Sequence, residues 1–155
     1  KGVAKMWAYK LEPAQPTDVT AILNLIAASG LPQEGLSDHL GTAVVARAGQ
    51  QVVGCAALEL YGPAALLRSV AVAPTYRGRG LGQQLTLAAL TLARARGVTH
   101  VYLLTETAPQ FFPKFGFRPV ERAQVPPAVQ SSVEFTSLCP ASALAMELRL
   151  EDITG

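Results

Sequence analysis

The sequence predicts an α/β fold, and three observations carry that prediction. Runs rich in aliphatic and β-branched residues alternate along the chain with segments whose apolar positions recur at helical spacing. The connections between them are short and marked by Gly or Pro. Finally, the run Ser69-Val70-Ala71-Val72 stops at Pro74 and restarts as a helix through glycines at 78, 80 and 82. The 155 residues suit one domain with one core. With half the residues apolar and 15% charged, the composition is that of a folded chain.

The elements follow in order, without an internal repeat. Ala8 to Pro13 reads as a short first strand, and Pro16-Thr17-Asp18 opens a helix whose Val19, Ile22, Leu23 and Ile26 share one face until Ser29-Gly30. Leu31 to Leu40 is a loop or short helix, followed by paired strands Thr42 to Ala48 and Gln51 to Leu60. Leu66 to Val72 is the next strand, and Leu81 to Arg96 a helix so apolar around its axis that most of it should be buried. Val101 to Leu104 reads as a central parallel strand. Phe111 to Phe117 ends a short helix and begins another strand. An irregular Glu121 to Pro140 follows, then the alternating terminal strand Leu144 to Leu150.

The turn between Tyr76 and Gln83 is built to hold a pyrophosphate. Glycines let backbone N–H groups approach an anion closely, and the following helix points its positive end at the same place. Arg77 and Arg79 add charge there. A dinucleotide fingerprint would need glycine where Gln83 stands, and no Lys-Ser or Lys-Thr follows to make a nucleoside-triphosphate loop. The spacing present is Arg-x-x-Gly-x-Gly, at Arg77, Gly80 and Gly82.

With Val-Ala-Val-x-Pro ahead of it, that spacing closely resembles the coenzyme A signature of the GNAT acetyltransferase superfamily. The order of elements is similar over essentially the whole chain after Trp7, which implies a single acetyltransferase domain over residues 7–151. The resemblance implies a mixed, strongly twisted sheet of about seven strands with flanking helices. It implies acetyl-CoA as cosubstrate and no metal. The diphosphate would rest on Arg77, Gly78, Arg79, Gly80, Leu81, Gly82 and Gln83. The pantetheine would lie along Val70, Ala71 and Val72, in a wedge between strands ending near Val72 and Leu104, with Phe112 also beside the cofactor. The thioester would sit beside Ser69 and Val70, whose backbone N–H is the natural oxyanion donor.

Two branches of the superfamily stand nearest by motif. Ser69-Val70-Ala71-Val72, Val101-Tyr102-Leu103-Leu104-Thr105 and Thr107-Ala108-x-x-Phe111-Phe112 resemble the acetyltransferase domain of N-acetylglutamate synthases. Leu31-Pro32-x-x-Gly35-Leu36, Tyr61-Gly62-x-Ala64-Ala65-Leu66-Leu67-Arg68-Ser69 and Glu134 to Ala143 are more similar to the small arsenic-resistance N-acetyltransferases. That likeness implies an amino-acid-like acceptor.

The chemistry narrows the remaining roles. An amine attacks a thioester only when neutral, so a base or water chain must take its proton, and the departing thiolate can use an acid. Many GNAT enzymes place a tyrosine before Lys-x-Gly-Phe; Phe112 stands in that position and donates no proton. A thiol of pKa about 8.5 leaves readily without one. Glu59 is the leading base candidate, set against a solvated strand-face carboxylate; Glu106, past the end of the next strand, competes. Arg68 could clamp an acceptor carboxylate, or simply face outward. Leu36, Thr105, Ser137 and Cys139 are the other candidate substrate contacts, with satisfied strand or loop residues as the plainer account of Thr105 and Ser137 and a buried or substrate-wall cysteine as that of Cys139. His39 reads as a capping-loop or surface histidine, and His100 as structural.

Together these readings predict an acetyl-CoA-dependent N-acetyltransferase working by direct transfer to a small amine. N-acetylglutamate formation and a binding-only acetyl-CoA sensor are the alternatives. A formal charge of +2 suits a small anionic cofactor and gives no broad basic face for nucleic acid. Cys55 and Cys139 form no close motif, so neither a disulfide framework nor a zinc site is readable, and a cytoplasmic setting is the simplest. No apolar run is long enough for a membrane span, and Lys1 to Met6 reads as a disordered or appended remnant. The Leu60-Tyr61 region and the terminal strand would permit a homodimer.

Overall fold

The computed structural model describes residues 8–106, 108–138 and 142–152; of Ser137, Leu138 and Asp152 only the backbone is described. The remnant expected over Lys1 to Met6, and Cys139, lie outside the described residues. The elements are β1 (Lys10–Pro13), α1 (Val19–Ala28), β2 (Ala43–Ala48), β3 (Gln51–Tyr61), β4 (Ala64–Val72), α2 (Leu81–Ala95), β5 (His100–Thr105), β6 (Arg118–Pro119), α3 (Pro127–Gln130) and β7 (Leu144–Arg149). Short 3-10 turns precede α1 at Pro16–Asp18 and β2 at Leu36–Thr42.

The strands form one mixed seven-stranded sheet in the order β1-β2-β3-β4-β5-β7-β6. β1 to β2 and β2 to β3 are antiparallel, β4 and β5 parallel, and β7 antiparallel to both β5 and β6. The terminal strand therefore inserts between β5 and the shorter β6. The strand expected after Phe117 shrinks to Arg118–Pro119, because a proline cannot donate to a ladder and is tolerated at a sheet edge.

Two compact units divide the chain, one from Lys1–Ala57 with Ser69–Ala89, the other from Leu58–Arg68 with Leu90–Gly155. The core of the first joins Ile22 and Ile26 of α1 to Val45, Cys55, Ala57 and Ala71 of the sheet. Its α2 segment packs closely because β3 carries Gly54. A Cβ there would stand 2.7 Å from Leu85 Cδ1 and 3.3 Å from Leu81 Cδ2. That close approach fixes where α2 begins. Leu87 of α2 is 51% exposed, so the helix is less fully buried than its composition predicted.

The core of the second unit gathers Ala64, Leu66, Tyr102, Val125, Val129 and Ala145, with Tyr61 packed against it. The Tyr102 hydroxyl donates to Glu147 at 2.8 Å, and burial with that carboxylate pushes its pKa up. The segment expected to be irregular after Glu121 folds into α3 and a wide turn at Glu134–Leu138.

Candidate active site

In the first unit, the residues between β4 and α2 make a turn that only glycine adopts without cost. Gly78 and Gly80 have φ of +78° and +80°, and both are exposed. Helix α2 closes its first bond from the Gln84 N–H to the Gly80 carbonyl at 3.1 Å, so the N–H groups of Leu81, Gly82 and Gln83 precede the first intrahelical donor. Among the described residues no side-chain hydrogen bond caps those three amides. A Cβ on Gly78 would meet nothing within 4 Å, and one on Gly80 only Gln83 Oε1 at 3.9 Å. These glycines therefore leave open surface at a helix start, the condition an approaching phosphate needs. The Arg77 Nε donates to the Val72 carbonyl at 2.9 Å, which anchors a cation at the turn. It also occupies the Val72 carbonyl, one of the backbone groups expected to lie along pantetheine.

Upstream, Ser69 stands at φ +62°, the one non-glycine in the left-handed region among the described residues. Such a residue costs about 1–2 kcal/mol and interrupts the strand's alternation. The Cys55 thiol of β3 donates to the Ser69 carbonyl at 3.2 Å and lies against the Ala71 N–H. Burial pushes that thiol up to about 12, so it stays protonated and serves as a donor.

In the second unit, five side chains form a largely buried polar network. Arg68 donates from Nη1 to Glu59 Oε2 at 2.8 Å, and its Nε lies 3.2 Å from Glu134 Oε2. All three side chains are almost fully inaccessible. The Tyr61 hydroxyl donates to Glu59 Oε1. Ser132 Oγ accepts the Glu134 N–H at 3.2 Å and hydrogen-bonds the Tyr61 oxygen. Burial, then the hydrogen bond and charge of Glu59, push the Tyr61 phenol up to about 12, against the opposing pull of Ser132 and Arg68. Tyr61 is half-buried, so it is the network's most open member.

Several expected contacts change character. Arg68 is committed to two carboxylates and is not a free clamp for an acceptor. Leu36 has no exposed surface and packs in the first unit's core, which removes it from any substrate wall. Glu59 is only 1% exposed and reaches outward through the Tyr61 hydroxyl instead of facing solvent as a strand-face carboxylate. Phe112 is buried against Phe111 and Phe117, with ring centroids 5.0 and 5.8 Å away. Thr105 is buried and accepts the Ala108 N–H, whereas Glu106 is exposed just beyond β5. His39 is half-exposed in the turn before β2, and the His100 ring stacks on Tyr102.

Tyr61, Ser132 and Glu134 were missed by sequence reasoning. Tyr61 had a signal: it lies two residues from Glu59 on one strand, hence on the same face. Ser132 had none, and Glu134 stood only at the head of a segment whose likeness to other acetyltransferases carried nothing about its contacts; both enter from a stretch with no periodicity.

Comparison with known proteins follows the same lines. The family model of the acetyltransferase (GNAT) domain matches residues 39–119. An uncharacterized N-acetyltransferase of Chlorobaculum tepidum is 32% identical over 94 residues, which is 60% of this chain and 60% of that protein. The chain thus spans about three fifths of the length of that curated relative. A Mycobacterium tuberculosis protein solved in complex with CoA superposes with a TM-score of 0.76 at 25% identity, over 90% of this chain and 98% of its own. N-acetylglutamate synthase from Neisseria gonorrhoeae, solved with coenzyme A and N-acetyl-glutamate, gives 0.79 at 20% identity, over 92% of this chain but 35% of that one. The last likeness is one of fold. Among the described residues no helix is long and apolar enough to cross a membrane, and no cluster of His, Cys, Asp or Glu suits a metal ion.

Proposed function

Because the chain belongs to the GNAT acetyltransferase family, we propose that it transfers an acetyl group from acetyl-CoA directly to the amine of a small, amino-acid-like acceptor. The observation that carries this reading is the exposed left-handed turn at Gly78 and Gly80 running into the first amides of α2, which precede its first intrahelical bond. Those amides, with the anchored Arg77, fit a diphosphate by both charge and room. The cosubstrate supplies an acyl thioester, whose thiolate departs without strong acid help.

The chain's own residues then have two tasks. The backbone around Val70, set by the left-handed Ser69, is the donor for charge developing on the carbonyl oxygen. The acceptor's ammonium must lose a proton. In this reading the Tyr61 oxygen takes it as the Tyr61 hydroxyl proton passes to Glu59 Oε1, along the hydrogen bond that joins them. Since Arg68 is engaged, the acceptor is selected by its amine and not by a guanidinium clamp on its carboxylate. The amino-acid-like class rests on the likeness of the Tyr61 to Ser69 and Glu134 to Ala143 segments to small acetyltransferases of such acceptors.

One observation favours a second reading, binding without turnover: Phe112 is buried among aromatic rings where many relatives carry a tyrosine acid. Thiol release from acetyl-CoA, measured over glutamate, other amino acids, an arsenic-bearing amino acid and simple polyamines, separates the two. Release on an amino acid supports the transferase. Tight acetyl-CoA binding with no release on any amine supports the sensor.

A further inference from the structure

The network around Arg68 contains a carboxylate that the proposed reaction does not use. Arg68 is one guanidinium serving two acids: Nη1 is 2.8 Å from Glu59 and Nε 3.2 Å from Glu134. Such a fork is planar, so each edge can hold a carboxylate at once. A guanidinium shared in this way neutralises Glu59 less completely than one devoted to it. The remaining negative charge bears on the group that touches Glu59 at its other oxygen, the Tyr61 hydroxyl.

Glu134 is also held in place for this task. It is 4% exposed, and its own N–H is received by Ser132 Oγ, the same hydroxyl that hydrogen-bonds Tyr61. The short segment Ser132–Glu134 therefore meets the network at two points, once at the phenol and once at the guanidinium. Breaking a buried ion pair leaves a charge with no compensation, so placing a second acid there carries a cost that function must offset.

Resting on the transferase reading above, we propose that Glu134 is a positioning residue: by drawing Arg68 partly away from Glu59, it keeps Glu59 able to accept the proton relayed through Tyr61. Glu134 touches neither acceptor nor cofactor in this scheme. The protons balance as follows: the acceptor ammonium loses one proton to the Tyr61 oxygen while the phenol proton moves to Glu59 Oε1 and from there returns to solvent; after attack the nitrogen loses its second proton as the C–S bond breaks, and the departing thiolate leaves as the thiol; Glu134 stays a carboxylate and Arg68 a guanidinium. The titratable and charged groups that bear on Tyr61 are Glu59 on β3, Arg68 on β4 and, in the same core cluster, Tyr102 of β5, whose hydroxyl is bound to Glu147 of β7. Ser132 is its uncharged polar neighbour. Glu134 reaches the phenol through Arg68.

The test is Glu134→Gln, which keeps shape and removes charge, with Glu134→Asp as the conservative partner. Ring-labelled tyrosine spectra, with the Tyr61 signal assigned from Tyr61→Phe, report the phenol directly and need no substrate. Glu134→Gln should lower the Tyr61 titration by about one pH unit. With an active amine, kcat near neutrality should fall about tenfold, the acidic limb of the rate profile should move to lower pH, and KM for acetyl-CoA should hold. Glu134→Asp should recover most of both effects. A Glu134→Gln protein that merely melts earlier, with the Tyr61 titration and the rate profile at their original positions, would overturn the proposal. If no amine is ever acetylated, the transferase reading falls, while the tyrosine titration still decides whether Glu134 governs Tyr61.

Discussion

In the turn between Tyr76 and Gln83 the working groups are backbone amides, exposed to solvent and aimed by the φ angles of two glycines. In the network of Glu59, Tyr61, Arg68 and Glu134 they are side chains, largely buried and aimed by one another. The first region obtains its electrostatics from peptide dipoles that carry no formal charge and resist titration. The second obtains it from ions, whose removal from water costs several kcal/mol each unless their partners are complete. Damage should therefore read out differently: ligand affinity for the turn, folding for the network.

The largest effect is expected at Arg68. Arg68→Met leaves two buried carboxylates without their cation, and denaturant unfolding should register a loss of about 3–5 kcal/mol. A loss under about 1 kcal/mol would mean that the network is solvated in solution and the contrast is false.

Gly80→Val should do the opposite. A side chain at φ +80° costs about 1–2 kcal/mol of stability. Binding should suffer more, since each charged hydrogen bond to a backbone amide is worth about 1.5–3 kcal/mol. Calorimetry should show coenzyme A binding weakened by about 10- to 150-fold, and unchanged affinity would dissociate the glycine turn from the diphosphate.

The two regions also part at the extremes of pH. Tyr61 ionises near 10 when unfolded and at about 12 in the fold. The stabilisation tied to its neutral form is complete below the unfolded value and disappears as pH climbs through the folded one. Tyr61→Phe should accordingly flatten the alkaline fall in stability, by up to about 2 kcal/mol. An equally steep alkaline loss in Tyr61→Phe would mean that the phenol is not held protonated by its surroundings.

The smallest effect concerns Asp18 in the first unit, whose carboxylate receives Nη1 and Nη2 of Arg47 at 3.1 and 2.8 Å. That hydrogen bonding lowers its pKa below the ordinary 3.8. The stability it contributes is present above that value and is lost as pH falls through the folded one. Arg47→Met should cost about 1 kcal/mol at neutral pH, and the difference should vanish in acid. A penalty that persists below the folded pKa would assign the loss to packing.

The same contrast explains how much could be read from the chain. Gly78 and Gly80, beside Arg77, were legible because a turn needing left-handed φ accepts few residues and lies within one short stretch of sequence. The strands were legible from their apolar runs. The insertion of β7 between β5 and β6 was not, because order in a sheet depends on partners distant in sequence. Arg68 illustrates the limit most clearly. Its position in an apolar run marked it as unusual, but whether it faced a ligand or a carboxylate was decided by Glu134, 66 residues later in a stretch with no periodic pattern. Leu36 misled for a simpler reason: a leucine in a loop-like segment gave no sign of the core beneath it.

The most direct test of the central claim is to titrate coenzyme A into isotopically labelled protein and follow the backbone amide resonances. The account predicts the largest downfield shifts at Leu81, Gly82 and Gln83 and the neighbouring turn glycines, saturating together with the Val70 amide. Saturable binding that leaves the resonances of Gly78 to Gln83 unmoved would contradict it.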